Sequence, residues 1–283
     1  HVGLLQAEAE LQARVGDTIT AKGIGGEVAM KLFQDVLLKA TVSIDHPRHL
    51  AFVPANPTRA SVLFDLVTSA ASVHGAYWLE GGGAIFAENQ AARWLVSLTG
   101  LPEGAMGVFT PGGTLSNLSG LVAAREKWRS ADPRRQALKG LVLCASSAHS
   151  SVKAMARVMD CDVHAIDTQE RLTGAEVQQA LRKLPLTERQ RVFAVVATAG
   201  TTNAGIIDAL DGIAEVCAGE HLWFHVDAAY GGGALLARSV RAQFAGIERA
   251  DSITIDPHKW LFAPYDCGAI LYREPEWGKS AHA

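Results

Sequence analysis

Hydrophobic positions along the chain change their period several times, and each change marks an element. Through residues 1–40, Leu4, Leu5, Ala7 and Leu11, then Val28, Leu32, Val36 and Leu37, recur at three- and four-residue steps. That spacing predicts two amphipathic helices separated at Lys22-Gly23-Ile24-Gly25-Gly26. Residues 45–59 hold His46, Pro47, His49, Pro54 and Pro57 and read as a loop. A Val62, Leu63, Leu66, Val67 stripe predicts a helix over 60–72, and another is expected over 85–98, after Gly81-Gly82-Gly83. Beyond these, short apolar runs predict strands over 106–109, 141–145, 162–166, 192–197, 222–226, 252–255 and 268–272. Helices are expected to run to about 128, to open at 146–151, to span 174–184 and to end near 218, with a polar surface connection over 185–191 and a turn over 260–264. Strands alternating with helices from 106 to 226 imply right-handed crossovers and an α/β fold. Its sheet is mainly parallel and flanked by helices, with the last strand antiparallel at one edge.

Composition narrows the partners. The 283 residues are 48% hydrophobic and 19% charged, enough for one large domain with a substantial core. The net charge of −3 comes without a basic block, so neither nucleic acid nor an anionic membrane is an expected partner. Cys144, Cys161, Cys217 and Cys267 are scattered, with no Cys-x-x-Cys spacing, which argues against a disulfide framework or a thiolate metal site. No run spans a bilayer and no signal-peptide pattern is visible, so the default expectation is cytoplasmic. No metal is expected. His46 and His49 lack a neighbouring carboxylate or cysteine, and His221 and His225 on one strand would stand about 13 Å apart at ~3.3 Å per residue.

The candidate chemistry centres on Asp256-Pro257-His258-Lys259-Trp260 and His225-Val226-Asp227-Ala228-Ala229-Tyr230. Lys259 follows a predicted strand that reads as buried. Burial favours the neutral amine, the form that condenses with carbonyls, which makes Lys259 a Schiff-base candidate. Asp227 closes the apolar run Leu222-Trp223-Phe224-His225-Val226, at the strand end where open α/β sheets bind ligands. Alone, the acid reads as a turn residue and the lysine as a surface one. Together they suggest pyridoxal phosphate, the aspartate on its ring nitrogen and the lysine on its aldehyde. Thr110-Pro111-Gly112-Gly113-Thr114-Leu115-Ser116-Asn117 turns a strand into a helix, and glycines at a helix start let backbone N–H groups cup a dianion. It is neither a Walker nor a dinucleotide turn. His149 at a strand end is either a helix cap or a residue that lies flat on a cofactor ring, and Thr198-Ala199-Gly200-Thr201-Thr202-Asn203 is a further strand-end turn.

These motifs, with Asp251-Ser252, resemble the signature of the group II pyridoxal-phosphate-dependent amino-acid decarboxylases, which include aromatic-amino-acid, glutamate, cysteine-sulfinate and diaminobutyrate decarboxylases. The resemblance runs from about Phe52 to Arg273. It implies the large domain of the aspartate-aminotransferase-like (type I) fold over 51–283, behind an N-terminal helical segment over 1–50 that packs across a homodimer with active sites at the subunit interface. It also implies cofactor contacts from Gly113, Thr114, Asn117, His149 stacked on the ring, Thr202, Asp227, Ala229, Ser252, His258 and Lys259, and a substrate pocket including Phe52 and Pro54. The family's loop tyrosine and small C-terminal domain have no counterpart in the sequence.

The implied activity is removal of the α-carboxylate of an L-amino acid as carbon dioxide, leaving an amine, with Lys259, His149 and Asp227 as the catalytic set. A transaminase or aldehyde-forming enzyme on the same scaffold, or a non-catalytic cofactor-binding homologue, are the alternatives. A serine hydrolase is disfavoured because no Gly-x-Ser-x-Gly elbow exists. The substrate is left open: Pro111-Gly112-Gly113 resembles glutamate-type members and Phe52-Val53-Pro54 aromatic-type ones, while His74 and Ala76 depart from the bulky apolar residues of the latter.

Overall fold

A computed structural model describes residues 7–49, 53 and 55–282. The chain divides into two compact units, His1–Phe52 and Val53–Ala283. In the first, α1 (Glu8–Val15) carries Glu8 and Glu10 in its first turn and Arg14 in its last, matching the helix dipole, and stops at Gly16, whose φ of 65° ends the helix. The α2 helix (Gly26–Leu32) continues through a π-helical turn, Phe33–Leu37, and a 3-10 turn, Leu38–Ala40, with Val36 buried.

The second unit opens with α3 (Arg59–Ala71), capped by Thr58, whose hydroxyl accepts from the Ser61 N–H at 3.1 Å. No residue of α3 is buried: Val62, Leu63, Phe64, Leu66 and Val67 all face outward. The following α4 (Trp78–Thr99) differs from the expected 85–98, because the helix runs through the triple glycine rather than starting after it. Gly81 takes φ −120° and ψ 20° there, and a Cβ at Gly81 would lie 2.4 Å from the His74 carbonyl oxygen. The backbone therefore bends at a glycine, where no side chain meets the His74 carbonyl.

Seven strands form one sheet: β1 (Met106–Thr110), β2 (Leu141–Ala145), β3 (Asp162–Ile166), β4 (Val192–Thr198), β5 (Trp223–Asp227), β6 (Ser252–Ile255) and β7 (Gly268–Tyr272). Their order is β1-β7-β6-β5-β4-β2-β3. All pairings from β3 to β6 are parallel, and β7 runs antiparallel to both β6 and β1. The antiparallel sense of β7 is as expected, but its place is inside the sheet and not at an edge. All five of its residues are buried, while edge strand β1 exposes Val108.

Among the described residues, the α-helices after α4 are α5 (Gly113–Ser130), α6 (Ser150–Val158), α7 (Gly174–Lys183), the single turn α8 (Leu186–Arg189), α9 (Leu210–Glu220) and α10 (Pro275–His282). The period-two alternation of each strand splits the core in two. Leu143, Val195, Phe224 and Leu271 face one side with Val177 of α7 and Ile213 of α9. Val142, Cys144, Val196, Trp223 and Ile270 face the other with Leu121 and Ala124 of α5 and Val152 of α6. The terminal α10 had no counterpart among the predicted elements. It seats Trp277 on Trp223 at 4.8 Å between ring centroids, with the Lys127 ammonium 3.3 Å from the Trp277 centroid. His221 is not part of β5. It ends α9 in the left-handed region, φ 55°, so it and His225 share no strand face.

Candidate active site

Because β7 is antiparallel to both β1 and β6, strand β1 runs with the parallel set. The carboxyl ends of β1, β2, β4, β5 and β6 therefore gather on one rim, where a cavity of about 310 Å³ opens. Its wall is assembled from the segments that follow those strands. Gly113, Thr114, Asn117, His149, Thr202, Asp227, Ala229, His258 and Lys259 all line it. Asp227 and Lys259 thus share one rim and one cavity.

Asp227 is 5% exposed and held from two sides. Its Oδ2 accepts from Asn117 Nδ2 at 2.9 Å and its Oδ1 from the Ala229 N–H at 3.1 Å. Lys259 is not an isolated amine: its Nζ lies 3.0 Å from Asp256 Oδ2. Burial pushes the Asp256 carboxyl above its usual range, against the pull of Lys259, and its Oδ1 has no partner among the described residues. His258 Nδ1 accepts from the Cys267 N–H at 2.9 Å, and its ring lies 4.5 Å from that of Tyr265. His149 caps α6, its Nδ1 accepting from the Ser151 N–H at 3.2 Å. The helix-cap reading of that residue is therefore realised in the geometry, at a position that also lines the cavity.

The start of α5 has the form of an anion cup. Gly112 precedes it with φ 96°, and no side chain caps its first turn. A Cβ at Gly113 would lie 2.7 Å from Asp256 Oδ2 and 3.1 Å from the Ala229 Cβ, so only glycine fits the wall there.

Ser252, expected among the contacts, does not line this cavity. Ser252 is wholly buried at the amino end of β6 and lies behind the wall, because its hydroxyl is engaged by Trp223 Nε1 at 2.8 Å and His225 Nδ1 at 2.7 Å. Phe52 and Pro54 lie outside the described residues, while their neighbour Val53 lines the cavity. Sequence reasoning assigned no role to Asp256, Tyr230, Tyr265 or Asp266, which also line it. For Asp256 a signal existed: an acid three residues before a lysine. Tyr265 and Asp266 arrive only through the inward placement of β7, which no local pattern announces.

The donor set fits pyridoxal phosphate: a fixed acceptor carboxylate for a ring N–H, a primary amine for an aldehyde, and an uncapped helix start walled by glycine for a dianion. Comparison with known proteins agrees. The family described as "Pyridoxal-dependent decarboxylase conserved domain" matches residues 23–282, and the chain belongs to that family. An aromatic-L-amino-acid decarboxylase of Bacillus atrophaeus is 32% identical over 272 residues, 94% of this chain and 56% of the relative. An L-2,4-diaminobutyrate decarboxylase of Rhizobium meliloti is 34% identical over 263 residues, 91% of this chain and 52% of the relative. The crystal structure of Oryza sativa TDC with PLP and tryptamine superposes with a TM-score of 0.89 at 27% identity, covering 98% of this chain and 60% of that one. The chain spans about half the length of the curated relatives it matches. Among the described residues, no helix is long and apolar enough to cross a membrane.

Proposed function

We propose that this chain supplies the cofactor-binding domain of a pyridoxal-phosphate-dependent L-amino-acid decarboxylase, releasing carbon dioxide and an amine. The observation that carries the reading is the convergence of Asp227, Lys259 and the uncapped start of α5 on one cavity. When bound, the cofactor supplies an aromatic ring able to accept the electron pair left when the bond to the carboxylate breaks.

The protein's own groups divide the remaining work. Lys259 would be the residue to hold the cofactor's aldehyde, and Asp256, 3.0 Å away, is placed to take up a proton from its ammonium. Asp227 would hold a proton on the ring nitrogen: an opposite charge within about 4–6 Å favours the protonated form by roughly 1–3 pKa units, or about 1.4–4 kcal/mol. Gly113 and Thr114 would offer backbone N–H groups to the phosphate. His149, Thr202, Ala229 and His258 line the cavity and would surround the ring, while Asn117 hydrogen-bonds Asp227. We assign Phe52 and Pro54 to the substrate pocket on the family resemblance alone. The two curated relatives act, by their names, on aromatic and on diamino substrates, and both classes enter the test.

The outward apolar row of α3, Val62, Leu63, Phe64, Leu66 and Val67, supports a homodimer as the working form, with active sites near the subunit interface. Four free thiols, three of them buried, fit a reducing, cytoplasmic compartment.

The test is direct. Protein loaded with pyridoxal phosphate is expected to show visible absorbance that Lys259→Ala abolishes, and a screen of the twenty amino acids is expected to release carbon dioxide with a matching amine. Survival of the absorbance in K259A refutes the assignment of Lys259. Keto acid in place of amine refutes decarboxylation, and aldehyde with ammonia and peroxide refutes amine as the product.

A further inference from the structure

Asp227 is the end of a longer structure. Strand alternation puts Trp223, His225 and Asp227 on the same face of β5, the face covered by α5. Asn117 and Gly120, one turn apart on α5, lie over that row: Asn117 reaches both His225 and Asp227, and Gly120 leaves the space that the His225 ring fills. Ser252 stands beside His225 in the register of β6 on β5.

The hydrogen bonds among these side chains have one consistent direction. The Trp223 indole can only donate, and its Nε1 gives its proton to Ser252 Oγ at 2.8 Å. Ser252 has one proton of its own to give, and His225 Nδ1 is 2.7 Å away. With Nδ1 accepting, the imidazole proton sits on Nε2 and is donated to Asn117 Oδ1 at 2.9 Å. The Asn117 amide is thereby oriented with its NH₂ toward Asp227 Oδ2, again at 2.9 Å. A cationic His225 would break this order, because both Trp223 and His225 would then donate to Ser252. Burial keeps the ring neutral, pushing it down from 6.5 to about 4 against the opposing attraction of Asp227. His225 and Ser252 are fully buried and Asn117 almost so, which excludes water as a substitute partner.

We infer that Ser252, His225 and Asn117 are positioning residues: a buried, one-way hydrogen-bond chain running from Trp223 sets the rotamer of Asp227 before the cofactor arrives. Ser252 thus acts on the site through three intervening hydrogen bonds and not by contact. The inference rests on the assignment of Asp227 to the ring nitrogen, and it needs no step from the cofactor itself.

The experiment uses this chain labelled with ¹⁵N-histidine and free of cofactor, read by the imidazole nitrogen shifts. The expected result is a single His225 tautomer, protonated on Nε2, unchanged from about pH 6 to about pH 8. A ring protonated on Nδ1, or on both nitrogens, overturns the inference whatever any variant does. In Ser252→Ala, Nδ1 loses its donor. A second tautomer is expected there, with pyridoxal phosphate binding weakened roughly tenfold and the absorbance maximum of the bound form displaced. An S252A protein with wild-type tautomer, affinity and spectrum overturns the chain of control. Asp227→Ala separates the two levels. If wild-type protein fails to bind the cofactor, or D227A binds it as well as wild type does, the assignment of Asp227 fails. If D227A weakens binding and S252A does not, the assignment stands and the positioning chain falls.

Discussion

Replacing Gly120 with alanine places one methyl where α5 crosses β5, and the expected cost follows from its neighbours. The new Cβ would lie 2.9 Å from His225 Nδ1, 3.0 Å from His225 Cε1 and 3.1 Å from Ser252 Oγ. Ordinary contact begins at 3.4 Å, so the ring or the helix must retreat by about 0.5 Å. The ring has nowhere to go, being 0% exposed and bonded through both nitrogens. Alanine gains about 1 kcal/mol over glycine in a helix interior. Against that stand about 1–3 kcal/mol for overpacking and a similar 1–3 kcal/mol for stretching a buried hydrogen bond. The net expectation is a loss of roughly 1–5 kcal/mol, read as a lower urea midpoint by far-ultraviolet circular dichroism. Gly219, in α9, is the matched control: a Cβ there meets nothing within 4 Å, so G219A is expected to be neutral or stabilising by up to about 1 kcal/mol. If G120A proved as stable as wild type, or if the two alanines behaved alike, the tight fit of α5 on His225 would be refuted.

Two further outcomes follow from the same buried groups. His225 is depressed from 6.5 to about 4, so between those values the unfolded chain binds a proton that the native state does not. Its contribution is full above pH 6.5 and is lost as the pH falls toward 4, by up to about 3 kcal/mol. Urea midpoints across that range should fall steeply in wild type and more gently in His225→Gln, and equal slopes would contradict the burial of a neutral ring. Removing the Lys259 ammonium leaves the Asp256 carboxylate buried without its cation, so its native pKa climbs further above the unfolded value and stability drops as the pH rises. K259A is therefore expected to lose more stability relative to wild type at about pH 8 than at about pH 5, a difference that adding Asp256→Asn should erase.

Much of the sheet was legible residue by residue. The runs at Leu141–Ala145, Asp162–Ile166, Ser252–Ile255 and Gly268–Tyr272 carry the bounds expected of them, because short apolar stretches between glycines, charges and turns leave a strand few other ends. What local pattern does not encode is which strands become neighbours. The place of β7 between β1 and β6 depends on pairing across more than a hundred residues, and with it come Tyr265 and Asp266 at the cavity. The start of α4 is hidden in the sequence because three consecutive glycines look like a break, although only Gly81 leaves helical geometry. Most of the candidate site was visible as motifs, since each sits at a strand end. Ser252 was the exception: its place at the amino end of β6 is plain from the register, but its route to Asp227 appears only when α5 is laid over the sheet.

The inward position of β7 has a consequence for how the domain comes into being. Strand β1, which leads into the glycine-walled start of α5, pairs among the described residues with β7 alone. A growing chain can zip the parallel strands as they emerge, yet β1 must wait, unpaired, until the residues up to Tyr272 have been made. The anion cup, encoded before the strand that fixes it, is clamped only once that strand has joined the sheet.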